Sequence, residues 1–192
     1  MLWPLVQPFL ITCCICAVVV AAGVAIAPYL KRSRKKTFVA LTALSFVGFI
    51  PSCVGVTTIV DSYRFGTFQY STFEELRDFR IERYIPKEAR TITLNKYASG
   101  HRAKYTVSEI ELKAHLDHLW AKAGQHSVIS REKPNVGALS SADQMQAEFG
   151  DLNWPILQNA VELHSPVAGN GAGATYYFSK ETSMVYQRAG YW

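Results

Sequence analysis

Two long stretches without a charged side chain dominate the first third of the chain, and a short basic segment separates them. The stretches cover about residues 5–30 and 37–60, and the segment between them is residues 31–36. At about 1.5 Å of rise per residue, about 20 helical residues cross the roughly 30 Å hydrocarbon core of a bilayer. Residues 1–63 are therefore predicted to form a transmembrane helical hairpin.

The rest of the chain, residues 64–192, is predicted to form one separate domain. Alternating apolar and polar residues at 90–97 and 102–107, joined by a Gly-containing turn, predict a β-hairpin. A second hairpin is predicted from 174–179 and 184–189. These patterns indicate an antiparallel sheet.

Helix signals lie before and between the two hairpins. Ser108 followed by Glu111 is a capping box, and leucines at helical spacing after it predict a helix that ends near residue 123. Shorter helices are predicted over 73–80 and 142–149. This order predicts an α+β domain with an antiparallel sheet and helices packed on one face.

The charge distribution predicts how the hairpin inserts. The chain has 20 lysines and arginines against 15 acids, a formal charge of +5. Five of these cations lie between the apolar stretches: Lys31, Arg32, Arg34, Lys35 and Lys36. Because lysine and arginine are retained on the cytoplasmic side, the loop is predicted to be cytoplasmic and the C-terminal domain extracytoplasmic. The aromatic segment 65–70 is interpreted as a connector at the membrane interface.

Composition limits the cellular locations and the classes of partner that we expect for this protein. From residue 64 onward, 15 cations stand against 14 acids, so no nucleic-acid partner is expected. The first apolar stretch is longer than a signal-peptide core and lacks a basic segment before it, so we expect it to be retained. The domain has no Asn-x-Ser/Thr sequon. We therefore expect an integral protein of the bacterial inner membrane, with the lipid bilayer as one partner.

Small residues recur along both apolar stretches. Helices in lipid pack through such residues, because they let the two backbones approach closely. We predict that two stripes face each other: Ala17, Ala21 and Ala25 on the first helix, and Ser45, Gly48, Ser52 and Gly55 on the second. All four cysteines also lie here, and their spacing favours apolar packing over a disulfide or a metal site.

Catalytic and cofactor signatures are weak in this sequence. His115 and His118, with Glu111 one turn earlier, are the candidate metal ligands, but zinc needs a third or fourth ligand that the pattern does not supply. The glycines at 169–173 lead into a predicted strand, whereas a dinucleotide fingerprint opens a helix. We expect no cofactor and no enzymatic activity.

Aromatic residues are concentrated near the C-terminus. Such residues anchor protein interfaces, although they also pair across the strands of a hairpin. The candidate interface residues are Tyr176, Phe178, Tyr186, Tyr191 and Trp192. The leading hypothesis is a membrane-anchored accessory or scaffold protein, such as a small subunit of a larger membrane complex. The alternatives are an extracytoplasmic sensor or binding module for a small ligand, and an envelope enzyme.

Overall fold

The computed structural model describes residues 3–131 and 139–191, and the chain divides into two compact units. The first unit is Met1–Arg64 and the second is Phe65–Trp192. In its described part the first unit consists of two helices and the loop between them, and the second combines helices with a β-sheet.

Two helices make up the first unit, α1 (Trp3–Ile26) and α2 (Arg34–Arg64). Both are long and apolar enough to cross a membrane, judged by length and composition. The loop between them is residues 27–33 rather than the predicted 31–36. Residues 34–36 instead form the first turn of α2, because lysine and arginine are good helix formers. The five cations of this region are all exposed.

The contact between α1 and α2 uses larger side chains than the sequence suggested. Phe9 and Phe49 meet edge to face with their ring centroids 5.4 Å apart. A Cβ added to Gly23 would overlap Cδ1 of Leu41, so Gly23 lies directly against α2. Thr12 is fully buried, and its hydroxyl donates a hydrogen bond to a carbonyl of its own helix. The side chains of α1 that face α2 therefore range from large to small.

The small-residue stripes that were predicted to face each other are only partly brought together, because Ala17, Ala21 and Ser45 line one apolar groove between the helices. Ala17, Ala21 and Ala25 are exposed, and a Cβ added to Gly48 or Gly55 would meet nothing within 4 Å. Of the two serines, Ser52 is exposed and Ser45 lines an apolar groove between the helices. The pairing of Phe9 with Phe49 and of Gly23 with Leu41 fixes the register of the hairpin, and this register turns both α2 glycines outward.

The second unit is built on a six-stranded sheet with the strand order β1-β2-β3-β6-β5-β4, in which every neighbouring pair is antiparallel. Both predicted hairpins, β2–β3 and β5–β6, are confirmed. The strands are β1 (Gly66–Thr72), β2 (Arg90–Tyr97), β3 (Gly100–Thr106), β4 (Val161–His164), β5 (Gly173–Ser179) and β6 (Met184–Gly190).

Helices cover both faces of this sheet, so the expectation of helices on one face was wrong. Helix α4 (Glu109–Ala123) packs on one face, where its leucines join a core that includes Tyr176 and Val185. Helix α5 (Ala142–Phe149) packs on the opposite face, against Tyr177 and Tyr186. Successive strand residues point to opposite faces, and here both sets are apolar. Such strands are buried on both sides.

The segment that follows α2 also differs from the prediction. The expected interfacial connector at 65–70 is the edge strand β1, because Phe68 and Tyr70 alternate with polar residues in register with β2. The helix expected at 73–80 is broken into a 3₁₀ turn and the short helix α3 (Phe79–Glu82). Arg77 between them has a φ of 44°, which ends the first turn.

Candidate functional site

A cleft lies between α4 and the segment that runs from α3 to the start of β2. It consists of two cavities of about 490 and 390 Å³, which share Lys87, His115 and His118. We name it the α3–α4 cleft. The residues that line one or both cavities are Phe73, Phe79, Glu82, Arg83, Ile85, Lys87, Glu88, Ile110, Glu111, Ala114, His115, His118, Leu119, Lys122 and Ala123.

The helical wall of the cleft is set by the cap at the start of α4. Glu111 N–H donates to Ser108 Oγ at 3.2 Å, and a Glu111 carboxylate oxygen accepts from Ser108 N–H at 3.1 Å. This capping box fixes where the helix begins. With Leu112 and Leu116 turned into the core, His115 is left half-buried at the border of the cleft and His118 is exposed beside it.

The opposite wall is held to the sheet by buried residues. Tyr84 and Ile85 are buried, and the Tyr84 carbonyl accepts a hydrogen bond of 2.8 Å from the hydroxyl of Tyr176. This anchor joins the wall to the central strand β5. The neighbouring side chains, Arg83 and Lys87, are exposed on the side of the cleft.

His115 is the most unusual titratable group in the cleft. Burial lowers its pKa to about 4, against a smaller raising effect from a hydrogen bond to the Tyr84 backbone. The imidazole is therefore neutral near pH 7. Its Nε2 atom is buried and has no hydrogen-bond partner among the described residues.

The two candidate histidines line the same cleft, but no third ligand from the described residues joins them. Glu111 is engaged by Ser108, whose hydroxyl lies 2.6 Å from its carboxylate. Within residues 3–131 and 139–191, no group of three His, Cys, Asp or Glu side chains is placed to hold a metal ion. The four cysteines are free thiols in the helical unit.

Three cations line the larger cavity without a carboxylate close to them. In the described part of the chain, no acidic oxygen lies within 4.0 Å of the charged nitrogens of Arg83, Lys87 or Lys122. Some other cations of the unit are paired, as Lys113 and Lys180 are with one glutamate. One acid, Glu82, also lines this cavity, so the cavity has an excess of positive charge.

Large apolar side chains project at the rim. Phe79 is 78% exposed and lines the larger cavity, and Ile110 is 82% exposed and lines the smaller one. An exposed apolar residue by itself is ordinary, but two of them beside a cleft are typical of a binding surface.

The candidate aromatic interface at the C-terminus was wrong for three of its members. Tyr176, Phe178 and Tyr186 are at most 2% exposed, because β5 and β6 are central strands covered on both faces. Tyr191 is half-buried and packs against the same core as α4. Trp192 lies outside the described residues.

A buried polar contact between β3 and the residue that follows β6 was not predicted from the sequence. His101 is fully buried on β3, and its Nδ1 is hydrogen-bonded to the hydroxyl of Tyr191. Burial, with a contribution from Lys96, lowers the pKa of His101 to about 3. The pattern gave little signal, since His101 seemed to belong to a turn. Because His101 is fully buried, this hydrogen bond serves the fold rather than a ligand.

Comparison with protein-family models, with curated proteins and with solved structures gives no match. Function is therefore argued from the cleft and from the apolar helices.

Proposed function

We propose that this chain is a membrane-anchored, non-catalytic accessory protein that holds a protein partner in the α3–α4 cleft. The observation that carries the proposal is the pairing of two exposed apolar side chains, Phe79 and Ile110, with a cleft lined by unpaired cations. Apolar anchors and a charged rim are the usual parts of a protein-binding surface.

The chemistry of the cleft favours binding over catalysis. A general base works best when its pKa lies near the working pH. The pKa of His115 is lowered to about 4, so its imidazole is a weak proton acceptor at neutral pH. Arg83, Lys87 and Lys122 supply charge for recognition rather than a nucleophile.

Anchoring in a membrane is supported by α1 and α2, whose surfaces expose large apolar side chains along their length. Water would disfavour so much apolar surface, whereas lipid accommodates it. The cations at 31–36 favour a cytoplasmic loop under the positive-inside rule, with the second unit outside the cytoplasm. The absence of a glycosylation sequon from residues 64–192 supports a bacterial inner membrane as the proposed location.

Partner binding is tested by photo-crosslinking in cells. A photoreactive amino acid is placed at Phe79, at Ile110 or, as a control, at Val128, which is 65% exposed and does not line the cleft. We expect one protein to be crosslinked at stoichiometric yield from the first two positions and not from the third. Equal yields at all three positions, or no adduct at any, would contradict the proposal.

The topology is tested separately with a reporter fused to the C-terminus. We expect the reporter to be accessible from outside intact spheroplasts, while a reporter inserted at Ser33 in the loop is protected. The reverse result would place the second unit in the cytoplasm.

A small-ligand binding module is the second candidate, and the cavity of about 490 Å³ favours it, since ligand pockets commonly have this size. Native mass spectrometry of the protein extracted in mild detergent distinguishes the two candidate functions. A bound protein at fixed stoichiometry supports the first function, and a bound compound of defined mass supports the second.

A further inference from the structure

We propose that the α3–α4 cleft binds the C-terminal residue of the partner polypeptide, with its carboxylate at the unpaired cations and its backbone N–H at His115. This inference rests on the function proposed above and names the segment that is recognised. It requires three features in one cleft: positive charge for the carboxylate, a free acceptor for the N–H, and an apolar wall for the side chain.

The positive charge comes from two different walls. Lys87 belongs to the segment before β2, and Lys122 to the last turn of α4. An anion between the walls would therefore be approached from both sides. Because no carboxylate of the described residues lies within 4.0 Å of either ammonium group, a ligand carboxylate would not have to displace an existing ion pair.

The atom assigned to accept the ligand N–H is Nε2 of His115. This atom is buried without a hydrogen-bond partner among the described residues, and an unpaired buried acceptor carries a desolvation cost. A ligand that donates an N–H removes this cost. An amide N–H next to a carboxylate is what the last residue of a polypeptide offers.

The apolar wall is formed by Ile85, which is fully buried, and by Leu119, with Phe73 and Phe79 nearer the surface. Such a surface would receive a large apolar side chain. A simple inorganic anion would use the cations but would make no apolar contact with this wall. We therefore favour a terminal residue with an apolar side chain over phosphate or sulfate.

The test uses the full-length protein in a neutral detergent and a matched set of small probes. N-acetyl-phenylalanine has both the carboxylate and the N–H, its amide lacks the charge, and its N-methyl derivative lacks the N–H. Binding is followed through the imidazole ring signals of His115 and His118 in NMR spectra. We expect the acid to bind about tenfold or more tightly than the amide, and about threefold or more tightly than the N-methyl derivative.

Equal binding of the acid and the amide would overturn the proposal, as would binding of none of the probes. Equal binding of N-acetyl-aspartyl amide would also overturn it, because an internal acidic residue would then serve as well as a terminal one.

Neutralising variants locate the charge that is recognised. The double variant Lys87→Gln with Lys122→Gln removes two exposed cations from the cleft, and we expect it to weaken binding of the acid about tenfold. The control Lys104→Gln removes a cation on the opposite sheet face, where Lys104 lies 5.4 Å from the ring of Trp154. We expect less than a twofold change there. A similar loss in both would show that overall charge, and not the cleft, attracts the acid.

The two proposals fail in different ways. If positions 79 and 110 crosslink a partner but the acid does not bind, only the terminal-residue inference fails. If the acid binds as expected but no partner is crosslinked in cells, the carboxylate site stands and the accessory function fails.

Discussion

The Nδ1 atom of His101 is hydrogen-bonded to the hydroxyl of Tyr191, a residue 90 positions later in the chain. Tyr191 also donates its backbone N–H to the Ser99 carbonyl at 2.8 Å, and the Arg80 guanidinium lies 5.4 Å from its ring. The pair therefore ties the end of β6 to the start of β3 and to α3.

The first prediction concerns this hydrogen bond. Tyr191→Phe keeps the ring but leaves a buried imidazole nitrogen without its partner, so we expect a loss of about 1–3 kcal/mol in the free energy of unfolding. Urea unfolding of the second unit within the full chain, followed by near-UV circular dichroism, measures it.

The matched control for this variant is Tyr70→Phe. Tyr70 packs against the same core, and its hydroxyl has no hydrogen-bond partner among the described residues. We expect a change below about 0.5 kcal/mol for this control. Similar losses in the two variants would mean that the bond to His101 contributes little.

The second prediction concerns pH. Burial lowers the pKa of His101 to about 3 and that of His115 to about 4, both below the usual value of 6.5. Below pH 6.5 the unfolded chain therefore binds protons that the folded chain does not bind. Stability is lost as the pH falls, by about 1.4 kcal/mol per pH unit for each fully neutral buried histidine. Urea midpoints at pH 7, 6 and 5 should decrease steadily.

Variants of the two histidines on α4 separate this effect from other acid effects. His115→Asn should give a shallower dependence on pH between 6.5 and 4. His118→Asn is the control, and we expect it to keep the original slope because that side chain is exposed. A flat stability profile for the unmodified protein from pH 7 to 5 would refute the buried, neutral state of these imidazoles.

The third prediction concerns the close approach of two strands. A Cβ added to Gly100 would overlap the carbonyl oxygen of Ala189 on β6 and would lie 3.0 Å from the hydroxyl of Tyr97. A backbone atom in a central strand cannot move away cheaply, so Gly100→Ala should cost at least about 2 kcal/mol. In Gly169→Ala, the nearest atom is 3.8 Å away, on Val128, and little change is expected. Thermal unfolding of both variants tests the difference.

Much of the fold follows from local signals in the sequence. The capping box at Ser108 and Glu111 and the leucine spacing after it are enough to predict α4, and the alternation in residues 90–97 predicts β2. Each of these signals lies within a single helix or strand, so it can be recognised without knowing which elements pack together.

Other features depend on tertiary contacts, and these could not be predicted. The aromatic residues of β5 alternate between two cores, so that Tyr176 faces α4 and Tyr177 faces α5. If only one core is expected, half of these aromatic residues would lie at the surface, and they would then resemble an interface. The cleft is similar, because His115 and His118 were visible as a pair, whereas Lys87 joins them only when β2 is placed beside α4.

The last prediction uses the contact inside the helical unit. Gly23 lies against Leu41, whereas Gly48 faces open space. A branched side chain at Gly23 must push the helices apart, but the same side chain at Gly48 adds apolar surface that lipid accommodates. Because both positions receive valine, the effect of the residue on helix propensity is matched between the two variants. In lipid nanodiscs, Gly23→Val should increase amide hydrogen exchange along α1, and Gly48→Val should leave it unchanged. If Gly48→Val loosens α1 and Gly23→Val does not, then the helices meet through the predicted stripe of small residues and not through the face that Gly23 shares with Leu41.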